Sequence, residues 1–316
     1  MRFWLNSQKP CPKCGHHTLV RHGYNGGKQR YFCSNCNRHS VLPTVRRSTS
    51  PQSLYEEYVK GKQTLAEIAE RHGLSVSTVQ RRIRQVRPTC IISKYKEVVI
   101  LMDATYWGQK FGVLLIVDAY RKRLLWHKFL DKKETVADYL EGVTWLEEKG
   151  FQIRGIVCDG LRGLAQSLCR YKVQYCQFHQ VKTVVEYLTK HPKTEAGKEL
   201  LDIAYLLCHT DKESFIGMLD MWYTKWHIWL KDRSFDNSTG RKIYTHRKVR
   251  SAYFSMKRNM RWLWTFYDCP DIPIPNTNNI LEAINTDLKS KLRVHNGMSR
   301  RYRKLFIDEY FKLKWK

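Results

Sequence analysis

The sequence predicts an α/β chain: a mixed sheet core with a helical insertion, preceded by two small modules. Three observations predict it. The apolar run at 98–102 is unbroken, as a strand buried on both faces reads, and a second short apolar run within 153–158 ends on Asp159. Two further apolar runs flank Asp118-Ala-Tyr-Arg-Lys-Arg, the pattern of a hairpin. Over 134–149, Val136, Leu140, Val143 and Leu146 recur near helical spacing, with Gly150 as a stop. The order is strand, strand, strand, helix, strand, so the first and fourth strands can lie parallel and adjacent.

Length and composition bound the rest. A chain of 316 residues suits about two domains. An apolar share of 42% supports a packed core and excludes a disordered chain. Lys and Arg number 56 against 29 Asp and Glu, a net charge of +27 spread along the whole chain. Such a field attracts a polyanion, nucleic acid above all. No run approaches a membrane-spanning length, and the first residues lack the apolar core of a signal peptide, so no membrane role is expected. Of ten cysteines, four show metal-site spacing and six are scattered, which reads as a reducing cytoplasm.

The first front module spans 8–45. Cys11 and Cys14 form one C-x-x-C pair and Cys33 and Cys36 another, with 18 residues between the pairs. That spacing suits a four-thiolate structural zinc site, each pair presenting two sulfurs to one tetrahedral ion. Gly15 follows the first pair, where a knuckle turn favours a residue tolerant of positive φ. So short a segment cannot bury a core, so the metal would supply its folding energy. A redox dithiol needs one pair and explains half the pattern. His16, His17 and His39 read as surface residues.

The second module spans 50–90 and reads as a helix-turn-helix. Leu65, Ile68 and Ala69 make one helical face, Gly73 permits a sharp turn, and Leu74, Val79 and Ile83 supply the apolar side of a second helix. Ser75 or Ser77 caps that helix. Ser77, Thr78, Gln80, Arg81, Arg82 and Arg84 then lie where a recognition helix meets the major groove. An ordinary helical hairpin is the plainer alternative. Pro88 ends the module, and a linker through Ile92 leads to the first strand.

The remaining span, 96–316, carries the acids. Asp103 and Asp159 each end a buried apolar run, which suggests a shared cation or a coincidence. Paired carboxylates repel unless magnesium or manganese neutralises them. Glu282 is a third candidate, in the first turn of a helix capped by Asn278 or Asn279. Asn285 and Lys289 follow at i+3 and i+7 on the same face, suited to phosphate contact. On spacing alone a capped surface helix explains Glu282 more simply. Glu309, on a later helix, is the other candidate. An insertion is expected at about 190–272: strand pattern fades over 195–266, while Leu200, Leu201, Ala204 and Leu207, then Phe215, Met218, Leu219, Trp222 and Trp226, recur at helical spacing. Trp229, Trp262 and Trp264 alternate with cations, which suits base stacking, although helix-packing core is the commoner fate of tryptophan. The stretch "LKDRSFDNSTGRK" reads as a polar loop.

Asp103 in "MDATY", Asp159 in "CDG", "CQFH" at 176–179 and "NTNNILEAINTDLKSKLRVHNGMS" together resemble the Mutator-like DDE transposases of bacterial insertion sequences. The resemblance covers roughly 97–300. It implies an RNase H-like core with Asp103, Asp159 and Glu282 as magnesium (or manganese) ligands. It places His179 near the site, contacting DNA or orienting a phosphate, with no metal assigned to it or to Cys176. The implied activity is DNA transposition: binding terminal inverted repeats, then metal-dependent strand cleavage and strand transfer. The implied partners are double-stranded DNA, both element ends and target, and further copies of the chain, as a homodimer or larger assembly on DNA. The expected location is the cytoplasm, with the nucleoid. The alternative is a catalytically inactive transposon-derived regulator that binds DNA through the zinc ribbon and helix-turn-helix.

Overall fold

The computed structural model describes residues 9–42, 49–86, 96–108, 111–235, 238–295 and 297–314. The chain forms two compact units, Met1–Ser53 and Leu54–Lys316. Pro88 and the linker through Ile92 lie outside the described residues.

The first unit is a three-stranded antiparallel sheet of β1 (Leu19–Asn25), β2 (Lys28–Cys33) and β3 (Arg38–Val41). Its small core is Leu19 with Cys11 and Cys33. Little else is buried, as expected of a segment too short to exclude water by itself.

The second unit opens within α1 (Pro51–Lys60), from Leu54 onward, and continues with α2 (Leu65–His72) and α3 (Val76–Ile83). A capping box starts α2. The Glu67 N–H donates to the Thr64 hydroxyl at 3.2 Å, and the Thr64 N–H donates to the Glu67 carboxylate at 2.6 Å. Gly73, at φ +59°, ends that helix in the left-handed conformation and lets Leu74 N–H reach the Ala69 carbonyl. Ser75, rather than Ser77, caps α3 by accepting from Thr78 N–H. Ile68, Ala69 and Val79 are buried between these helices.

A five-stranded mixed sheet follows. Its strands are β4 (Glu97–Tyr106), β5 (Gly112–Asp118), β6 (Leu124–Leu130), β7 (Gln152–Cys158) and β8 (Val173–Tyr175), in the order β6-β5-β4-β7-β8. β4 pairs antiparallel with β5 and parallel with β7. The β5–β6 turn is closed by Asp118, which is fully buried and accepts from Tyr120 N–H, Arg121 N–H and the Arg121 guanidinium. One face of the sheet packs on α4 (Val136–Glu148) and on the short α5 (Leu164–Ser167). Gly142 of α4 brings helix and sheet together, since a Cβ there would meet Ile116 and Trp126 at 2.5–2.6 Å. The other face, with Val99, Leu101 and Val157, packs on α11 (Asn279–Val294) and α12 (Arg300–Lys314).

The same cluster includes Leu54, Tyr55, Ile68 and Val79. Lys291 is buried and donates its ammonium to the carbonyls of Lys60 and Gly61. The sequence draws a boundary near residue 90. In the structure, the described helices before it share one core with α11 and α12. The reason is that α1–α3 are too small to cover their own apolar faces.

Between β8 and α11 run α6 (Gln177–Leu188), α7 (Glu195–Leu206), α8 (Lys212–Trp226), a 3-10 turn at Trp229–Lys231, α9 (Arg247–Leu263) and α10 (Thr265–Asp268). α6 to α9 enclose Leu200, Phe215, Leu219, Trp222, Tyr253, Met256 and Trp264. One expectation changes here and one holds. The polar loop contains a small hairpin, β9 (Arg233–Phe235) paired with β10 (Lys242–Tyr244). Trp264, at 1% exposure, belongs to the core and offers no face to a base.

Candidate catalytic site and metal centre

The four cysteines converge. Cys11 and Cys36 sulfurs lie 3.8 Å apart and those of Cys14 and Cys33 3.6 Å apart, with all four within 4.8 Å of one another. Sulfurs at Zn–S ~2.3 Å around a tetrahedral ion are separated by roughly 3.8 Å. The cluster therefore fits a zinc ion, which it could bind. Gly15, at φ +76°, forms the first knuckle, its N–H donating to the Cys11 carbonyl. The Thr18 hydroxyl, 3.2 Å from the Cys33 sulfur, and backbone donors bring that thiol down to about 6, favouring the thiolate a metal requires. His16, His17 and His39 are exposed, and the His39 ring packs at a tilt against His22 and Phe32.

The acid site is built by register. The last parallel pair between β4 and β7 is Leu101 with Val157. Asp103 and Asp159 each lie two residues further on, so they hold equivalent positions on one face of the sheet. That face is the one covered by α11. The expectation that Asp103 ends its strand is corrected: β4 continues to Tyr106 against β5, and it is the parallel ladder that stops. Asp103 is thus held by strand on one side and open toward Asp159 on the other.

Asp103 is 6% exposed. Burial and the carboxylates of Asp159 and Glu282 hold it well above the ordinary carboxylate range, opposed by the Ala104 N–H and by Lys182. Burial also raises Asp159, opposed by His179 and the Leu161 N–H. Glu282 stands in the first turn of α11 with its side chain 39% exposed, and its carboxylate is 3.4 Å from His179 Nε2. Burial lowers His179 against the pull of both acids, which favours the neutral imidazole. Glu309 is elsewhere, on the groove that α12 forms with Tyr55 and Tyr58 of α1, so the second candidate for the third acid is set aside.

The Asn-rich approach to Glu282 acts differently from the cap expected of it. Asn278 occupies the N-cap position, but its side chain makes no capping bond. Its Nδ2 instead donates to the Met102 carbonyl at 3.1 Å, and its N–H donates to the Cys176 sulfur at 3.2 Å. Asn276 exchanges two hydrogen bonds with Gln177. These bonds fix the start of α11, and so Glu282, to the strand that carries Asp103. They also give Cys176 a positional role that its spacing could not reveal, since its partner lies 102 residues away. Asn285 is buried and its Nδ2 donates to Asp103 at 2.8 Å. Its amide is spent on the acid, which corrects the expectation that it contacts DNA. Lys289 remains exposed on the same helix.

The three acids are set wider than the cysteines and do not all lie within 4.8 Å of one another. An oxygen-rich donor set around a buried, mutually repelling pair of carboxylates fits magnesium or manganese.

On α3, Ser77 and Arg81 are exposed and Arg82 half-buried, while Thr78 shares its hydroxyl with the Ser75 cap. Gln80 and Arg84 line the groove toward α12, where the Arg84 guanidinium sits 4.5 Å over Tyr302. Both remain exposed, so all six residues expected on the recognition face stay at least partly open to solvent. No helix among the described residues is long and apolar enough to cross a membrane.

No family model and no curated protein matches the chain. Among solved structures it is similar to a chain of a simian T-cell lymphotropic virus intasome in complex with PP2A regulatory subunit B56 gamma, at TM-score 0.21 and 10% identity over 66% of this chain and 68% of that one. It is also similar to a chain of the Mos1 strand transfer complex, at TM-score 0.19 and 11% identity, and of the Mos1 mariner paired end complex with Mn, at 0.17 and 12%, each over 71% of this chain and 80% of that one. Scores this low do not establish a shared fold.

Proposed function

We propose that the chain is a DNA transposase of the DDE type, on an RNase H-like core, acting at the ends of an insertion sequence. The observation that carries the reading is the register match of Asp103 and Asp159 beside Glu282, with Asn285 fixed on Asp103. Divalent cations held by these carboxylates would activate an attacking oxygen and stabilise a leaving one at a phosphorus. The protein's own contribution is positional. Asn285 orients Asp103, and Asn278 with Cys176 sets Glu282 against β4. Neutral His179 borders Glu282, whose more exposed carboxylate faces the side from which a scissile phosphate would enter. The net charge of +27 supports a polyanionic substrate, and exposed Ser77 and Arg81 support reading of terminal repeats by α3. The zinc ribbon would add affinity for the same ends.

The test is cleavage of a labelled element end in magnesium or manganese. Wild-type chain should release a 3′-hydroxyl and join it to target DNA. Asp103→Asn, Asp159→Asn and Glu282→Gln should each lose both steps while still binding the DNA. Full activity in any of these variants would refute the assignment. Specific binding with no cleavage by the wild type would favour the DNA-binding regulator.

A further inference from the structure

α9 carries six cations, Arg247, Lys248, Arg250, Lys257, Arg258 and Arg261, and no acid. Across 233–261 there are nine cations and one acid. Their placement is ordered. Val249, Ala252, Tyr253, Met256 and Leu263 face the core of the insertion. Arg247, Arg250, Phe254, Arg258 and Arg261 follow at intervals of three, four, four and three residues. At ~100° per residue they fall within an arc of roughly 80°, on the opposite side of the helix. Arg247, Arg258 and Arg261 are exposed. The stripe is about 21 Å long at 1.5 Å per residue.

Its two ends meet two different features. At the N-terminal end, Arg250 lies 4.1 Å over the Tyr244 ring and 4.6 Å over Phe254, while Arg233 covers Tyr244 at 3.7 Å. These contacts stiffen the small hairpin against the helix. At the other end, Asn259 donates to Gln180 at 2.8 Å, one residue from His179. α9 also packs on β8, the strand that carries Tyr175. The Tyr175 hydroxyl in turn packs so closely on Gly160 that a Cβ there would run into it, immediately beside Asp159. The helix that bears the stripe thus runs from the hairpin to α6, where it is bonded one residue from His179.

We propose that the outer face of α9 is a phosphate track, along which the DNA flanking the cleavage point is led to Asp103 and Asp159. A row of guanidiniums with no intervening carboxylate matches the backbone of one strand, which offers a phosphate about every 3.4 Å of helix rise. Arginine suits the role because its fork holds phosphate oxygens and its plane also packs on rings. The track's destination rests on the strand-cleavage reading; its affinity for DNA does not.

The test is therefore made without cleavage, with zinc-loaded full-length chain in buffer lacking magnesium and manganese. Binding to a random-sequence duplex is followed by fluorescence anisotropy across a salt series. Replacing Arg247, Arg258 and Arg261 together by Ala should reduce the slope of log affinity against log salt by about 2–3, at ~0.9 per phosphate contact. The same three positions replaced by Lys should keep most of the slope, which separates loss of charge from loss of fold. A control set of exposed cations, Lys122, Lys190 and Lys193 to Ala, should change it by less than about one. An unchanged slope in the Ala variant, or an equal loss in the control set, overturns the track. Either result leaves the acids' role to be judged by the cleavage assay alone.

Discussion

Replacing Asp103 with Asn should stabilise the metal-free protein. Asp103 is 6% exposed, and its recorded side-chain donor is one amide, Asn285. A buried charge with incomplete compensation costs about 1–3 kcal/mol or more, and the neighbouring acids add repulsion. An Asn of the same shape still accepts from Asn285, but the bond loses its charge assistance, roughly 1 kcal/mol. The net gain is on the order of 1–3 kcal/mol, a rise in Tm of about 2–10 °C for a unit of this size. The sign fixes the pH window. Burial raises the folded carboxyl above its unfolded value, so wild-type stability falls as pH rises from the ordinary carboxylate range through the raised one. The two proteins should therefore converge at acid pH and diverge above it. Saturating manganese should reverse the order, adding about 2.7 kcal/mol to the wild type at 100 times Kd and little to the variant. Thermal melts with and without manganese at several pH values measure both effects. A metal-free Asp103→Asn protein less stable than wild type by more than about 1 kcal/mol, or equal metal stabilisation of the two proteins, would refute the reasoning.

Other expectations follow from the same geometry. Glu309 is buried and raised to about 7, so Glu309→Gln should leave stability unchanged below pH ~4.5 and raise it by about 1–3 kcal/mol above pH ~7, as melts across that range would show. Asn278→Ala should cost about 1–3 kcal/mol by stranding the Met102 carbonyl, and should lower cleavage more than DNA binding. An Asn278→Ala chain with wild-type cleavage would show that Glu282 needs no such anchor. Purified protein should hold about one zinc per chain, and Cys33→Ser should lose it while the melting of Leu54–Lys316 is unchanged. Metal analysis beside calorimetry decides this, and full zinc content in Cys33→Ser would exclude the four-thiolate site.

The parts of this molecule legible in its sequence are those set by local pattern. The apolar runs marked β4, β5 and β7, the helical period marked α4, and the paired C-x-x-C marked a four-sulfur cluster that the structure closes. Asp103 and Asp159 were nameable as a pair because equal offsets from two buried runs become equal register once the strands lie parallel. The unreadable parts are those fixed by contacts between distant segments. Nothing local shows that Asn278 ties α11 to Met102, that Cys176 accepts from Asn278, or that Asn285 faces an acid rather than solvent. The hairpin at β9 and β10 was hidden because three-residue strands carry too little alternation to stand out from a polar loop. Trp264 follows the commoner expectation for tryptophan, since it packs in the core of the insertion. Helical pattern does not tell Glu282 from Glu309, since both occupy similar helices; the resemblance favours Glu282, and the fold places it, not Glu309, beside His179.

The central claim is that Asp103, Asp159 and Glu282 share divalent metal. Anomalous diffraction from crystals of the full chain soaked in manganese tests it directly. The account predicts density between Asp103 and Asp159, with Glu282 completing the coordination and no ion at Glu309. No density between the two aspartates at saturating manganese, or manganese bound without either of them, would contradict it.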